Sequence, residues 1–412
     1  MAGRRLSAVG HQVTILEARP SAGGRIFTLP SRESHGFSVA AEGGAEFIHG
    51  NLPISLGLAE EAGIFLQPVA AEMVGMRQGK EPDKEQRNRQ SKDWGLLMQR
   101  MAMQGQDLPL ADFLAEWFPG DQYPGLRDSA GRMAEGYDLA DLHRVSTHSL
   151  YREWSGESDE EEYRPEGGYG PMIGYLAEVC RRQGCELQFS TIVTAVRWQR
   201  GRVEVTTTRG QVFIGTRLIT TVSLGVLKAG SIRWSPGLPR QQEAISKLGF
   251  GSVIKVLLEF NQPFWRHRKK PGRTLFIVSD EPAPTWWTQT ADECPLLTGW
   301  IAGGPMREFR KLGPDEKLEV CIESLGHLFS LERGALRGAL VHSAILDWED
   351  APSIRGGYSF ETVGGETERA ALAGPIEDTL FFAGEAVYNG PVPGTVEAAF
   401  SSGITVAELI AG

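Results

Sequence analysis

Cysteine is scarce in this 412-residue chain and carries no pattern. Cys180, Cys185, Cys294 and Cys321 form no C-x-x-C pair and no zinc spacing. That excludes a disulfide framework and a zinc module, and predicts free thiols in a reducing compartment, the cytoplasm by default. Long apolar runs are also missing. None reaches the ~18 to 20 residues of a membrane helix, and the first residues hold no signal-peptide core, although any leader of a longer chain is lost with its start. Basic residues are outnumbered, 42 against 52 acidic, for a net charge of -10. This disfavours nucleic acid as a partner and suits cationic small molecules, though it mostly serves solubility. Internal repeats are absent, and no residue pattern suggests a metal site.

A further absence is more specific. Residues 11 to 25 read as the second strand of a dinucleotide-binding βαβ unit. Glu17 stands at the strand end, where an acid takes ribose hydroxyls, and Leu6 to Gly10 read as the end of the preceding helix. Only ten residues come before, so the first strand and its G-x-G-x-x-G turn are not in the sequence. Their absence leaves Val13 to Leu16 with an unpaired edge and removes N–H groups that hold a diphosphate.

What is present is globular. The length predicts two or three domains at ~100 to 200 residues each, and 41% hydrophobic content supplies their cores. Fifty glycines, roughly 12% against a usual ~7%, suit a chain whose backbone approaches a ligand closely. Residues 1 to 56 read as a βαβ remnant and a Gly-rich loop, Glu42 to Gly50. Residues 57 to 165 are mostly helical in pattern, with Gln78 to Asp93 an exposed charged loop and a helix cap at Ser91. Asp159 to Glu162 reads as a solvated acidic turn. Short runs at Leu187 to Phe189, Val193 to Trp198, Val203 to Thr207, Val212 to Gly215 and Leu218 to Thr221 predict a small antiparallel insert. Ser252 to Phe260 alternates into the aromatic turn Phe264-Trp265, and a Trp-rich segment spans Thr285 to Trp300. A buried strand, Leu380 to Glu385, then leads through a Gly/Pro loop to an amphipathic helix starting near Thr395.

Gly23-Gly24-Arg25 is either a plain turn with a surface cation or a place where backbone and guanidinium meet a diphosphate. Gly384-Glu385 followed by a helix N-terminus is a second place for phosphate or flavin oxygens. Two such sites at opposite chain ends imply one discontinuous cofactor domain.

Five segments then coincide in order. They are V-T-I-L-E-A-R-x-x-x-G-G-R, Gly44-Ala45-Glu46-Phe47-Ile48-His49-Gly50, Pro165-Glu-Gly-Gly-Tyr-Gly170, Val222-Ser-Leu-Gly-Val-Leu227, and Phe381-Phe-Ala-Gly-Glu385 through Gly394-Thr-Val-Glu397. Together they resemble the flavin-containing amine oxidases: polyamine oxidases, monoamine oxidases and lysine-specific histone demethylases. The resemblance implies an α/β fold with a discontinuous Rossmann-like FAD-binding domain (1–56, 166–235, 371–412). An α+β substrate domain (57–165, 236–370) with a mixed sheet and helices completes it. It implies Glu17 at the adenosine ribose with Ala18 and Arg19 beside it among the cofactor contacts, Gly24 and Arg25 at the diphosphate, Gly44 and Ala45 near the flavin, and Val193 at adenine. Trp348, Gly384, Glu385, Thr395 and Val396 complete the FAD contacts, with Val396 and Glu397 under the pyrimidine end of the ring.

The resemblance makes Lys255 catalytic, bonded through water to flavin N5, where local pattern alone would turn a lone strand lysine outward. Trp348 and Tyr358 become aromatics beside the flavin, with Tyr358 and Thr395 as the two walls of an amine cage. As plain sequence they are equally core aromatics. His49 and Glu46 fall at the substrate mouth, and are otherwise surface. Trp286, Trp287 and Trp300 read as packing and pocket lining. Gly357 stands where some members carry a flavin-bonding cysteine, so FAD is expected non-covalently bound. The implied reaction is oxidation of a polyamine or other primary or secondary amine to an imine, by hydride transfer to flavin N5. Reoxidation by O2 gives H2O2. Two other readings stay open: an amino-acid oxidase or related flavin enzyme, and an inactive homologue that holds no flavin.

Overall fold

The computed structural model describes residues 1–29, 31, 36–156 and 161–412. Two short parallel pairs lie where the nucleotide-binding unit is expected. Thr14–Leu16 runs parallel to Glu186–Gln188, and Leu218–Thr220 runs parallel to Leu380–Phe382. Leu6 of the helix Ala2–Ala8 packs with Phe381, Ala383, Val406 and Ile410, locking the first helix onto the last, Val396–Ala411. Among the described residues Thr14–Leu16 pairs on one edge alone. A cavity runs between the two parallel pairs, along Gly3, Val13, Ile15, Ile219, Ala383 and Gly403.

The expected antiparallel insert is smaller than its sequence texture suggests. Its sheet runs Val212–Gly215, Arg202–Thr207, Val193–Gln199, then Arg233–Ser235, which joins in parallel. The runs at Leu187 and Leu218 belong instead to the parallel pairs. Short apolar runs of three or four residues carry no information about partner direction, which tertiary contacts decide.

A six-stranded mixed sheet forms the second body, in the order Leu340–Asp347, Val253–Phe260, Leu296–Ala302, Thr285–Thr288, Thr274–Val278, Ala71–Gly75. All eight residues of Val253–Phe260 are buried. One face packs on the helix Pro314–Phe329 through Cys321, Ile322, Leu325 and Leu328, and on the fully buried Trp286. Four helices, Lys84–Ala102, Leu110–Trp117, Pro124–Gly136 and Thr147–Trp154, share a second core around Leu97, Phe113 and Ala130.

Lys84–Ala102 corrects the expected loop. Asp83, not Ser91, is its cap: the Asp83 side chain accepts from Gln86 N–H at 2.8 Å, and the Gln86 side chain accepts from Asp83 N–H at 2.9 Å. Its first half has no apolar stripe, but Lys, Glu, Gln and Arg are good helix formers and exposure costs them nothing. Leu97 and Met101 anchor the far end. Of the acidic stretch Asp159 to Glu162, residues 159 and 160 lie outside the described residues. Glu162 does not belong to a turn: it opens the strand Glu162–Pro165, which joins Ile48–His49 and Leu66–Val69.

Candidate functional site

One continuous cavity of about 3040 Å³ joins the nucleotide-like end of the chain to the six-stranded sheet. Ordinary ligand sites are ~300 to 1,000 Å³, so there is room for an extended cofactor and a substrate together. At the first end Glu17 follows its strand directly and accepts from Arg19 N–H at 2.8 Å. Burial raises its carboxyl pKa. Ala18 lines the cavity beside it. Arg19 is turned back, donating to Gly24 O at 2.8 Å with its guanidinium 4.5 Å from the Phe27 ring. Gly24, at φ +58°, has open space where a side chain would stand, and so has Gly384 at φ +130°.

Arg25 was expected at a diphosphate. It lines the cavity, and its Nη1 joins the chain ends, donating to Glu385 at 2.7 Å and to Gly357 O at 2.6 Å. Glu385 is further held by the Ser359 hydroxyl at 2.6 Å. Val193 lines the cavity from the insert. A carboxylate at a strand end, two open left-handed glycines and an arginine in one cleft are a donor set and shape that fit FAD.

Around Lys255 the packing leaves no freedom. A side chain on Gly44 would meet Arg25 O at 1.8 Å, so only glycine brings the loop this close. Ala45 N–H ties the loop to Arg25 O at 3.1 Å. Lys255 is 1% exposed, and it donates to Gly44 O at 2.9 Å and to Glu46 at 2.7 Å. The lysine points inward, against the strand-pattern default.

Glu46 is not at a mouth. It is buried in the cavity wall between Lys255, Arg164 at 2.9 Å and Trp287 Nε1 at 3.0 Å. Burial pushes its carboxyl pKa up, but the Lys255 and Arg164 charges outweigh that and hold it below the usual value. His49 is half-buried at the cavity wall, its Nδ1 2.8 Å from Glu162.

Trp348 donates from Nε1 to Gly43 O at 2.9 Å and packs edge-on to Phe27. Tyr358 stacks on Trp300 at 6.4 Å and donates to Tyr137 O. Gly394, the neighbour of Thr395, lies against the Tyr358 ring, a side chain there falling 3.2 Å from it. Thr395 caps the last helix, accepting from Ala398 N–H at 3.1 Å, and Val396 lines the cavity. Glu397 is turned away. It accepts from Ile54 and Ser55 N–H at 2.9 and 2.8 Å, at the start of the helix Pro53–Ala62. Trp287 and Trp300 line the cavity, whereas Trp286 is core.

Two features escaped the sequence. Arg164 sits in E-Y-R-P, where nothing local marks it as buried. Asp138 follows the helix Pro124–Gly136 in what reads as a loop, yet it is buried, bonded to Glu153 and to Trp154 Nε1 at 3.0 Å. Burial first, then the Glu153 charge, pushes the Asp138 carboxyl pKa up to about 9. A carboxyl that keeps its proton in the fold, while the unfolded chain releases it near ~3.9, makes stability fall as pH rises across that window. Asp138→Asn keeps an acceptor for Trp154 and removes the titration. Its thermal midpoint should therefore fall less than the wild type's between about pH 6 and about pH 9. Equal slopes would remove Asp138 from the pH response.

Among the described residues no group of three His, Cys, Asp or Glu side chains could hold a metal ion, and no helix is long and apolar enough to cross a membrane.

The family model for flavin containing amine oxidoreductases matches residues 1–411. Lysine-specific histone demethylase 2 of Homo sapiens is 27% identical over 444 residues, covering 100% of this chain and 52% of its own length. Polyamine oxidase 4 of Oryza sativa subsp. japonica is 26% identical, covering 99% of this chain and 85% of its own. Polyamine oxidase 2 of Arabidopsis thaliana is 30% identical over 66% of this chain and 53% of its own. The chain thus spans about half the length of the first curated relatives it matches. Putrescine oxidase bound to putrescine shares the fold at a TM-score of 0.79 and 20% identity, over 99% of this chain and 95% of the other. Cyclohexylamine oxidase from Brevibacterium oxydans IH-35A shares it at 0.78 and 17%, over 100% and 96%. With its α/β fold and this full-length match, the chain belongs to the flavin-containing amine oxidoreductase family, a class of oxidoreductases.

Proposed function

We propose that this chain oxidises the C–N bond of an amine with FAD held non-covalently. Residues 1–56, 166–235 and 371–412 serve as the flavin domain, and 57–165 with 236–370 as the substrate domain. The observation that carries the reading is Lys255. Its ammonium lies in the wall of the same cavity that holds Glu17 at one end and the Tyr358–Trp300 stack at the other. Bound FAD would supply the two-electron chemistry that oxidises the amine, with oxygen as the final acceptor.

The protein supplies position and environment. Tyr358, Trp300 and Trp287 give apolar walls that favour a neutral amine over an ammonium, since desolvation penalises charge. No general base is needed for hydride departure from a neutral amine. Lys255, in the cavity wall, would stabilise the negative charge that develops on oxygen. Glu153 and Glu162 line the same cavity and suit the further cationic groups of a polyamine.

The polyamine oxidases and demethylases among the relatives support an extended amine substrate. An amino-acid oxidase needs an arginine for the substrate carboxylate. Arg164 is spent on Glu46, which disfavours that reading. Non-covalent attachment rests on Gly357, where a side chain would meet Leu139 at 2.5 Å.

The test is purification with added FAD, acid precipitation, and a panel of polyamines, aryl amines and amino acids. A yellow protein is expected, releasing its colour into the acid supernatant and producing peroxide with polyamines first. A colourless protein that takes up no FAD would overturn the reading and favour an inactive homologue.

A further inference from the structure

Glu46 and Arg164 are buried charges beside Lys255 that amine oxidation itself does not use. Glu46 comes from the loop before Ile48–His49, Arg164 from Glu162–Pro165, and Lys255 from the middle of Val253–Phe260. The carboxylate takes Lys255 on one oxygen at 2.7 Å and Arg164 with Trp287 on the other, at 2.9 and 3.0 Å. Arg164 is itself fixed. Its Nη1 reaches the Thr274 and Thr290 hydroxyls at 3.3 Å, its Nη2 reaches Thr288 O at 3.3 Å, and its guanidinium lies 4.5 Å from the Phe47 ring. Lys255 and Glu46 line the cavity, and Arg164 stands behind them.

A lysine paired with one buried carboxylate would form a neutral unit, and its charge would be lost to the cavity. Here a second cation stands behind the carboxylate. The three directly bonded groups, two cations and one carboxylate, carry a single positive charge that solvent screens little. Burial pushes the neighbouring Glu42 carboxyl up to about 7, so near neutral pH it offsets that charge only in part. Lys255 Nζ also has three N–H donors. Gly44 O and Glu46 take two of them, so the third is fixed in direction.

We propose that Arg164 and Glu46 are positioning residues. Through Glu46, Arg164 keeps the Lys255 cluster at a net single positive charge and aims the remaining lysine N–H into the cavity.

The inference rests on the amine-oxidase reading for its redox consequence, and on the ion cluster alone for its stability consequence. Three variants of the full chain test it: Glu46→Gln, Arg164→Met and the double variant. In the first the cluster becomes doubly positive, in the second neutral, and in the double variant it returns to one positive charge. A positive wall favours reduced, anionic flavin. The midpoint potential of bound FAD should therefore rise in Glu46→Gln, fall in Arg164→Met, and return close to wild type in the double variant. A merely structural role moves both single variants the same way and the double variant further, and that result would overturn the proposal. The thermal midpoint gives a second readout. The double variant should melt above the less stable single variant, because it restores the net charge of the wild-type cluster and leaves one buried cation in place of the two in Glu46→Gln. If Glu46→Gln is too unstable to purify, Arg164→Met and the double variant still decide the order. Should the protein take up no flavin, the amine-oxidase reading fails. The melting cycle on the flavin-free chain then stands by itself: recovery in the double variant supports the cluster, and additive losses refute it.

Discussion

Replacing Lys255 with methionine should slow the reoxidation of reduced flavin by oxygen about 10²- to 10³-fold, the usual loss when one preorganised donor to a developing oxyanion is removed. Flavin content and the overall fold should persist. Methionine is close to lysine in length, and Glu46 is not orphaned by the change, because Arg164 and Trp287 still hold its other oxygen at 2.9 and 3.0 Å. The reductive half-reaction should be much less affected, since the amine gives up hydride without a proton acceptor at this position. Anaerobic reduction with amine, followed by rapid mixing with oxygenated buffer, separates the two halves. A reoxidation rate within about threefold of wild type would remove Lys255 from the oxygen chemistry.

The strength of that expectation comes from an environment only partly readable in the sequence. The strand around Lys255 was legible, because Val253–Phe260 alternates and is bounded by glycine and proline. The inward direction of the lysine was not. A strand buried on both faces has no outside, and the alternation rule loses meaning when all eight residues are buried. Glu46 illustrates the same limit. As a carboxylate in a glycine-rich loop it looked exposed, and only the meeting of Lys255 and Arg164 makes its burial tolerable.

Motifs at the chain ends were legible for a different reason. Glu17, the paired glycines and Gly384-Glu385 depend on backbone shape, which residue type constrains locally. Their partnership was hidden, since Arg25 and Glu385 are 360 residues apart. The helix Lys84–Ala102 was missed because its charged first half has no apolar period, although helix propensity and the Asp83–Gln86 box were both in the sequence. Asp138 left no trace at all. Its proton is held by burial and by Glu153, neither of which a post-helix G-Y-D signals.

Glu397 tests the same distinction energetically. The family pattern placed it under the flavin, but its carboxylate accepts the Ile54 and Ser55 N–H groups and the Ser55 hydroxyl, at 2.9, 2.8 and 2.7 Å. Helix Pro53–Ala62 has Leu52 at its N-cap position and no side-chain cap of its own, so the last helix of the chain supplies the missing acceptor. Ser55 is fully buried, and water cannot easily replace the carboxylate. Glu397→Ala leaves two buried donors on Ser55 and the half-buried Ile54 N–H unmatched, at ~1 to 3 kcal/mol for each buried one, for a total of about 3 to 5 kcal/mol. Glu397→Gln keeps one acceptor and loses the charge at the helix N-terminus, for about 1 to 2 kcal/mol. In a chain this size the alanine variant should melt on the order of 3 to 6 °C lower, with the glutamine variant between it and wild type. Flavin affinity at temperatures where the variants remain folded should be nearly unchanged. If Glu397 instead serves the flavin, the order of effects reverses: the flavin-free chains melt together, within about 1 °C, while FAD is lost from both variants.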